Sequence, residues 1–131
     1  MRPLFASIVL ILTLEACQRD LSTAAGVISA FVDLRYVDMN LPQARKLCTG
    51  LALKKIDEEL RLTEGQAIDQ TTGKPSVHYK LLTRKEEPAS VTFLYEGTVR
   101  VADAQTFKKK WLITARKETG VWKIANFTDF D

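Results

Sequence analysis

Hydrophobic residues recur at helical spacing over the first half of the chain and at strand spacing over the second. Ala24, Val27, Ile28, Phe31 and Leu34 fall at the i, i+3, i+4, i+7 intervals of a helix stripe that faces a core. Val32 and Tyr36 widen the stripe and Ser22 or Thr23 can cap its start, which predicts a largely buried helix over residues 22–37. Asn40 before Leu41-Pro42 places a cap ahead of a proline in the first turn, so a second helix is predicted over 41–48. Gly50 breaks the pattern, and Leu53, Ile56 and Leu60 mark a third helix over 51–62. Its other face carries Lys54, Lys55, Asp57, Glu58 and Glu59 and reads as solvated, with Lys54–Glu58, Lys55–Glu59 and Asp57–Arg61 as i, i+4 pairs.

Residues 63–75 are polar and turn-rich, and after Pro75 the period becomes two. Val77, Tyr79 and Leu81 alternate with His78 and Lys80. Glu86-Glu87-Pro88 makes a turn, and Val91, Phe93 and Tyr95 alternate next. Gly97 is expected to mark a bulge or bend in that strand before Val99 and Val101. Asp103-Ala104 turns into a strand over 106–117 with Phe107, Trp111, Ile113 and Ala115 on one face. Thr119-Gly120 then turns into a last strand carrying Trp122, Ile124 and Phe127. Strands joined by short turns read as an antiparallel meander. Three helices on one face of a curled antiparallel sheet of at least four strands make an α+β domain. Leu112 and Thr114, and on the last strand Val121, Ala125 and Phe127, are expected on the sheet face away from the helices.

The start of the chain follows neither period. Arg2 precedes an apolar run over residues 4–14 that is too short for a membrane span of roughly 20 residues and matches a signal-peptide core. It ends in Leu14-Glu15-Ala16-Cys17, which resembles the lipobox of bacterial lipoproteins, with Glu15 a departure from the small or β-branched residue usual there. A plain secreted form and an uncleaved anchor are the alternatives. The resemblance implies residues 1–16 as signal peptide, a diacylglyceryl group on Cys17, often with a further acyl chain, and residues 17–21 as tether. At about 3.5 Å per residue the tether up to the first helix spans roughly 15 Å, which holds the domain of residues 22–131 near the bilayer. Gln18 is not the Asp associated with inner-membrane retention, so in a Gram-negative host the periplasmic face of the outer membrane is implied. If the Cys17 sulfur is acylated, Cys48 has no partner for a disulfide. It then reads as a small buried hydrophobe, with a reactive or intermolecular thiol as the alternative.

Composition narrows the remaining chemistry. Residues 17–131 suit one domain with its own core, and a net charge of +3 is far from the basic signature of nucleic-acid binding. The single histidine, His78, excludes a metal site built on two or three histidines, and no cofactor motif is present. His78 itself reads as a sheet-face residue. Lys108 and Lys110 read as guards of an edge strand, or as a basic strip for phosphate headgroups.

The order of a long apolar helix, two shorter ones and bent strands, closed by the segment Lys117-Glu118-Thr119-Gly120-Val121-Trp122-Lys123-Ile124-Ala125-Asn126-Phe127, resembles the NTF2-like superfamily over residues 22–131. That resemblance implies a cone with a pocket between sheet and helices. Phe31, Tyr36, Tyr95 and Trp111 are pocket candidates, as are Phe93 and Trp122, although aromatics at sheet period are core first. The family holds non-catalytic binders and ketosteroid-isomerase-like enzymes, so fold alone assigns no activity. The expectation is a membrane-anchored envelope domain that binds a partner protein or small ligand, with a homodimer through the sheet face as one option. The alternative is a small-molecule isomerase or hydrolase that uses Asp33 as base beside Tyr36, three positions away on the first helix.

Overall fold

The computed structural model describes residues 20–64, 75–101 and 106–131. Cys17 and the signal segment, most of the turn region 63–75 and the Asp103-Ala104 turn lie outside the described residues. The described residues form an α+β domain in which helices α1 (Ala24–Val32), α2 (Leu41–Arg45) and α3 (Gly50–Leu62) accompany four strands. Strands β1 (Ser76–Glu86), β2 (Ser90–Arg100), β3 (Thr106–Glu118) and β4 (Val121–Phe130) pair antiparallel in the order β1-β2-β3-β4, and the sheet is open. Among the described residues no helix is long and apolar enough to cross a membrane.

Thr23 starts α1 by accepting a hydrogen bond from the Gly26 amide through its hydroxyl at 3.0 Å. The predicted helix to Val37 is there in length but not in form. At Asp33 it widens into a π-helical turn, Asp33–Val37, in which the Asp38 amide donates to the Asp33 carbonyl at 2.8 Å. The widening rotates Arg35 and Tyr36 relative to an α-helical continuation, and single π turns often sit at functional sites. Met39 follows with φ of 53°, a left-handed conformation that costs a residue with a Cβ about 1–3 kcal/mol. Asn40 caps α2 by accepting from the Gln43 amide at 3.2 Å.

The second helix is shorter than the predicted 41–48. Its last residues give their backbone to the sheet: the Ile124 amide donates to the Leu47 carbonyl at 2.8 Å and the Thr49 amide to the Ile124 carbonyl at 2.9 Å. A paired β4 edge outweighs one more helical turn because both strands of backbone groups are then satisfied.

Phe31, Ile28, Val27 and Val32 of α1 are fully buried with Ile56 of α3 and with Ile113 and Ile124 of the sheet. Val91, Phe93, Tyr95, Trp111, Ala115 and Phe127 complete the inner sheet face. Two expectations for the strands are corrected. Gly97 is no bulge, since β2 keeps register with both neighbours through it; the irregularities lie at Leu81/Thr83 and at Thr114/Ala115. Phe127 does not face away from the helices but pairs with Ile113 and is buried, because the bulge near Ala125 absorbs one residue and reverses the facing of everything after it. Ala125 is buried in that bulge. Thr119 (φ 48°) and Gly120 (φ 81°) close the β3–β4 hairpin, a two-residue turn that needs φ above zero at both positions.

The charged face of α3 is also not simply solvated. Glu59 pairs with Arg35, Asp57 with Arg45 at 2.6 Å, and Glu58 with Arg61 at 2.5 Å. Lys55 donates to the Phe127 carbonyl and the Asn126 side chain at 2.7 and 2.8 Å. None of the three predicted i, i+4 pairs forms: Lys55, Asp57 and Glu59 take tertiary partners because α3 packs against β4 and α2, while Glu58 and Arg61 pair locally at i, i+3.

Cys48 is buried, and that burial, opposed by Arg35 and Lys123, pushes its thiol up to about 12. An unfolded cysteine titrates near 8.5, so the folded state holds its proton more tightly. The resulting stability is complete below about 8.5 and is lost as pH rises towards 12. Urea midpoints should therefore fall across that window, and less in Cys48→Ala than in the parent. A native thiol that reacts with iodoacetamide at pH 8 as fast as an unfolded one would contradict this placement.

Candidate functional site

A cavity of about 750 Å³ opens between the helical layer and the inner face of the sheet. Its walls combine Leu41 and Pro42 of α2, Leu60 of α3, and Val77, Val99 and Trp111 of β1 to β3. Met39, held in its left-handed conformation, joins the wall from the α1–α2 connection. Polar groups come from Arg35, Tyr36, Glu59, Lys109 and Asp129, with Thr63 and Glu64 beyond the end of α3.

These residues form a stack. The Trp111 indole lies over Gly97, whose Cα leaves no room for a methyl group: a Cβ there would meet the indole Cη2 and Cζ2 at 2.3 Å. Tyr36 stacks on Trp111 with ring centroids 4.0 Å apart and planes 16° from parallel. The Arg35 guanidinium lies 4.4 Å from the Tyr36 centroid and 4.4 Å from that of Phe127, so it is bracketed by two aromatic rings.

Carboxylates fix the stack from the sides. Glu59 accepts from Nε of Arg35 at 3.2 Å and pairs with its Nη2. Asp129 accepts from Arg35 Nη1 at 3.3 Å and from the Tyr36 hydroxyl at 2.5 Å. Burial works against the Arg35 cation, but Tyr36, Glu59 and Asp129 outweigh it and hold its pKa above the ordinary arginine value. Burial also raises the Tyr36 phenol; Arg35 opposes this, while Asp129 adds to it, so the phenol stays a donor through the physiological range. Lys109 places its ammonium on Asp131 at 2.7 Å.

The structure separates the two side chains that the sequence pairs. Asp33 accepts from the Tyr79 hydroxyl at 2.6 Å, whereas Tyr36 donates to Asp129. Tyr36 lines the cavity and Asp33 is not among its lining residues. Of the aromatic candidates, Trp111 also lines the cavity. Phe31 is fully buried beneath it, edge-on to Tyr36, and Tyr95 is 5% exposed and packs edge-on to Tyr79. Phe93 packs beside Tyr95, and Trp122 lies against the core.

Arg35, Glu59 and Asp129 are the residues that sequence reasoning missed. Glu59 looked like one of many surface charges. Asp129 would face outward by simple alternation from Ile124, and the bulge turns it inward to sit opposite Trp111. Its one sequence signal is the parity break between Ile124 and Phe127, both apolar but an odd number of positions apart.

The outer sheet face differs from an apolar patch. Leu94 and Leu112 pair across β2 and β3, and Thr92 and Thr114 share a hydrogen bond at 3.2 Å beside them. Lys80, Lys108 and Lys110 surround Glu96 by register on that face, and His78 is exposed next to them. Strand β3 pairs with β2 from Thr106 to Arg116, but its pairing with β4 begins only at Lys110. Lys108 therefore lies on a stretch unpaired on the β4 side, where a lysine can guard an edge, whereas Lys110 pairs with Phe130.

No family model matches the chain, and no curated protein matches it. Among solved structures it is similar to a protein of Thiobacillus denitrificans assigned as a calcium/calmodulin-dependent protein kinase type II association domain. The TM-score is 0.62 at 13% identity, over 82% of this chain and 93% of that one. It is also similar to a SEC-C motif containing protein from Rhodopseudomonas palustris, with a TM-score of 0.50 at 12% identity over 86% of this chain and 83% of that one. At such identities the likeness extends to a small α+β fold and no further.

Proposed function

We propose that the chain is a lipid-anchored protein of the bacterial cell envelope whose NTF2-like domain binds a small ligand without transforming it. The observation that carries the binding reading is the cavity, whose volume falls within the roughly 300–1,000 Å³ range of small-molecule sites. The strain at Met39 and the π turn before it both lie at this cavity, where an unconstrained domain would have no reason to keep them. The NTF2-like layout is supported by the helix-to-meander order and by an open cavity between the two layers.

The non-catalytic reading rests on how the polar groups are spent. Tyr36 donates to Asp129 and Asp33 accepts from Tyr79, so the base and donor of an isomerase-like pair serve two different contacts. Arg35 is held by two carboxylates and two rings. Such a network positions and recognises. Proton abstraction asks for a base aimed at the substrate.

A partner on the outer sheet face is the second reading, and the Leu94–Leu112 pair favours it. A second copy stacked there would oppose the Lys80, Lys108 and Lys110 of both protomers, which argues for a different, acidic partner over a homodimer.

Two measurements test the proposal. The intact mass of protein extracted from host membranes should correspond to a chain that begins at Cys17 with added acyl groups; a different start without acyl mass removes the anchor. Native mass spectrometry of the same preparation should show a non-covalent small-molecule adduct that Val99→Phe, which enlarges a side chain on the cavity wall, abolishes. An adduct that survives this change places the ligand elsewhere.

A further inference from the structure

Two carboxylates share one guanidinium at the floor of the cavity, and that count decides what the cavity can hold. Arg35 is matched by Glu59 and again by Asp129, which leaves one negative charge in excess. Among the described residues of the wall the other cation is Lys109, which is tied to Asp131. Glu64 adds a further carboxylate at the rim. An anionic guest would have to displace a carboxylate from Arg35 and then face both of them.

Asp129 still has room to accept. Its Oδ1 takes one hydrogen bond from Tyr36 and its Oδ2 one from Arg35, whereas an ionised carboxylate offers about four lone-pair sites. Its side chain is 42% exposed. The surrounding wall of Leu41, Leu60, Val77 and Val99 is apolar, which favours a hydrocarbon body and strengthens any ionic contact made against it. We propose that the cavity takes a small apolar molecule bearing one protonated amine, seated with its ammonium on Asp129. This rests on the ligand-binding reading above and names the ligand's chemical class.

The test uses three probes of equal chain length, octylamine, octanol and octanoate, titrated below their aggregation limits into the full chain by calorimetry at pH 7. Octylamine should bind at least about tenfold more tightly than octanol, a difference expected of one charge-assisted contact, and octanoate more weakly than octanol. Asp129→Asn, which keeps the shape and an acceptor for Tyr36, should abolish the preference and bring octylamine to the level that octanol shows with the same variant. If that variant does not fold by circular dichroism, Glu64→Gln on the exposed rim carries the test, with an expected loss of about two- to threefold confined to the amine, as for an exposed charge. Octanoate as the tightest probe, or an amine preference that survives both substitutions, overturns the amine assignment while leaving a ligand cavity. No binding by any of the three overturns the cavity reading itself, and with it this one.

Discussion

Arg35→Leu should cost about 3 kcal/mol of stability at pH 7, the low end of the roughly 3–5 kcal/mol lost when one partner of a buried ion pair is removed. The low end applies because Glu59 and Asp129 keep 31% and 42% of their side-chain surface in water, whereas Arg35 keeps 12%. Leucine fills part of the space between Tyr36 and Phe127 but leaves two carboxylates side by side without their cation. Arg35→Lys should fall between parent and leucine variant, since an ammonium keeps the charge but cannot supply the planar fork or lie between two rings. A charge-removing background separates this account from a packing defect. In Glu59→Gln only one carboxylate is left without the cation, so the deficit of Arg35→Leu should be smaller there than in the parent. A deficit in urea midpoints that is the same in both backgrounds would assign the loss to packing alone.

The same cluster shows where sequence periodicity stops being informative. The stripe from Ala24 to Phe31 and the alternation of Val91, Phe93 and Tyr95 place the core directly, because burial of one face imposes those periods. Helix α3 and the hairpin at Thr119-Gly120 are legible for equally local reasons, a glycine break and a turn that demands positive φ. The site is not local. Arg35 and Asp129 stand 94 residues apart, and each reaches the cavity through an irregularity: a π turn on one side and a β-bulge on the other. Both change the residue count per turn or per strand step, and after the bulge a pattern read at fixed period puts Phe127 and Asp129 on the wrong face. The charges of α3 fail differently. Glu58 and Glu59 are indistinguishable by pattern, yet one meets Arg61 on the surface and the other closes the cavity floor.

Gly97 carries the second large effect, and here the sign is diagnostic. In an ordinary strand position alanine is more stable than glycine by roughly 0.5–1 kcal/mol, and a bulge of the kind the sequence suggests could accept it. In this fold the added methyl would lie 2.3 Å from two indole carbons of Trp111. The indole cannot lift away, because Tyr36 covers its other face at 4.0 Å and is itself held by Asp129. Gly97→Ala should therefore destabilise by about 2–3 kcal/mol, the range for overpacking a core with rigid neighbours. Strand register should persist, since Gly97 pairs regularly with Tyr79 and Lys109. The double variant Gly97→Ala/Trp111→Leu should cost less than the sum of the two single changes, by at least about 1 kcal/mol, because the smaller side chain vacates the space that the methyl needs. Urea unfolding of the four proteins in the cycle measures that coupling. Additive costs, or a stabilising Gly97→Ala, would mean that the indole does not rest on Gly97, and the floor of the cavity would then have to be redrawn.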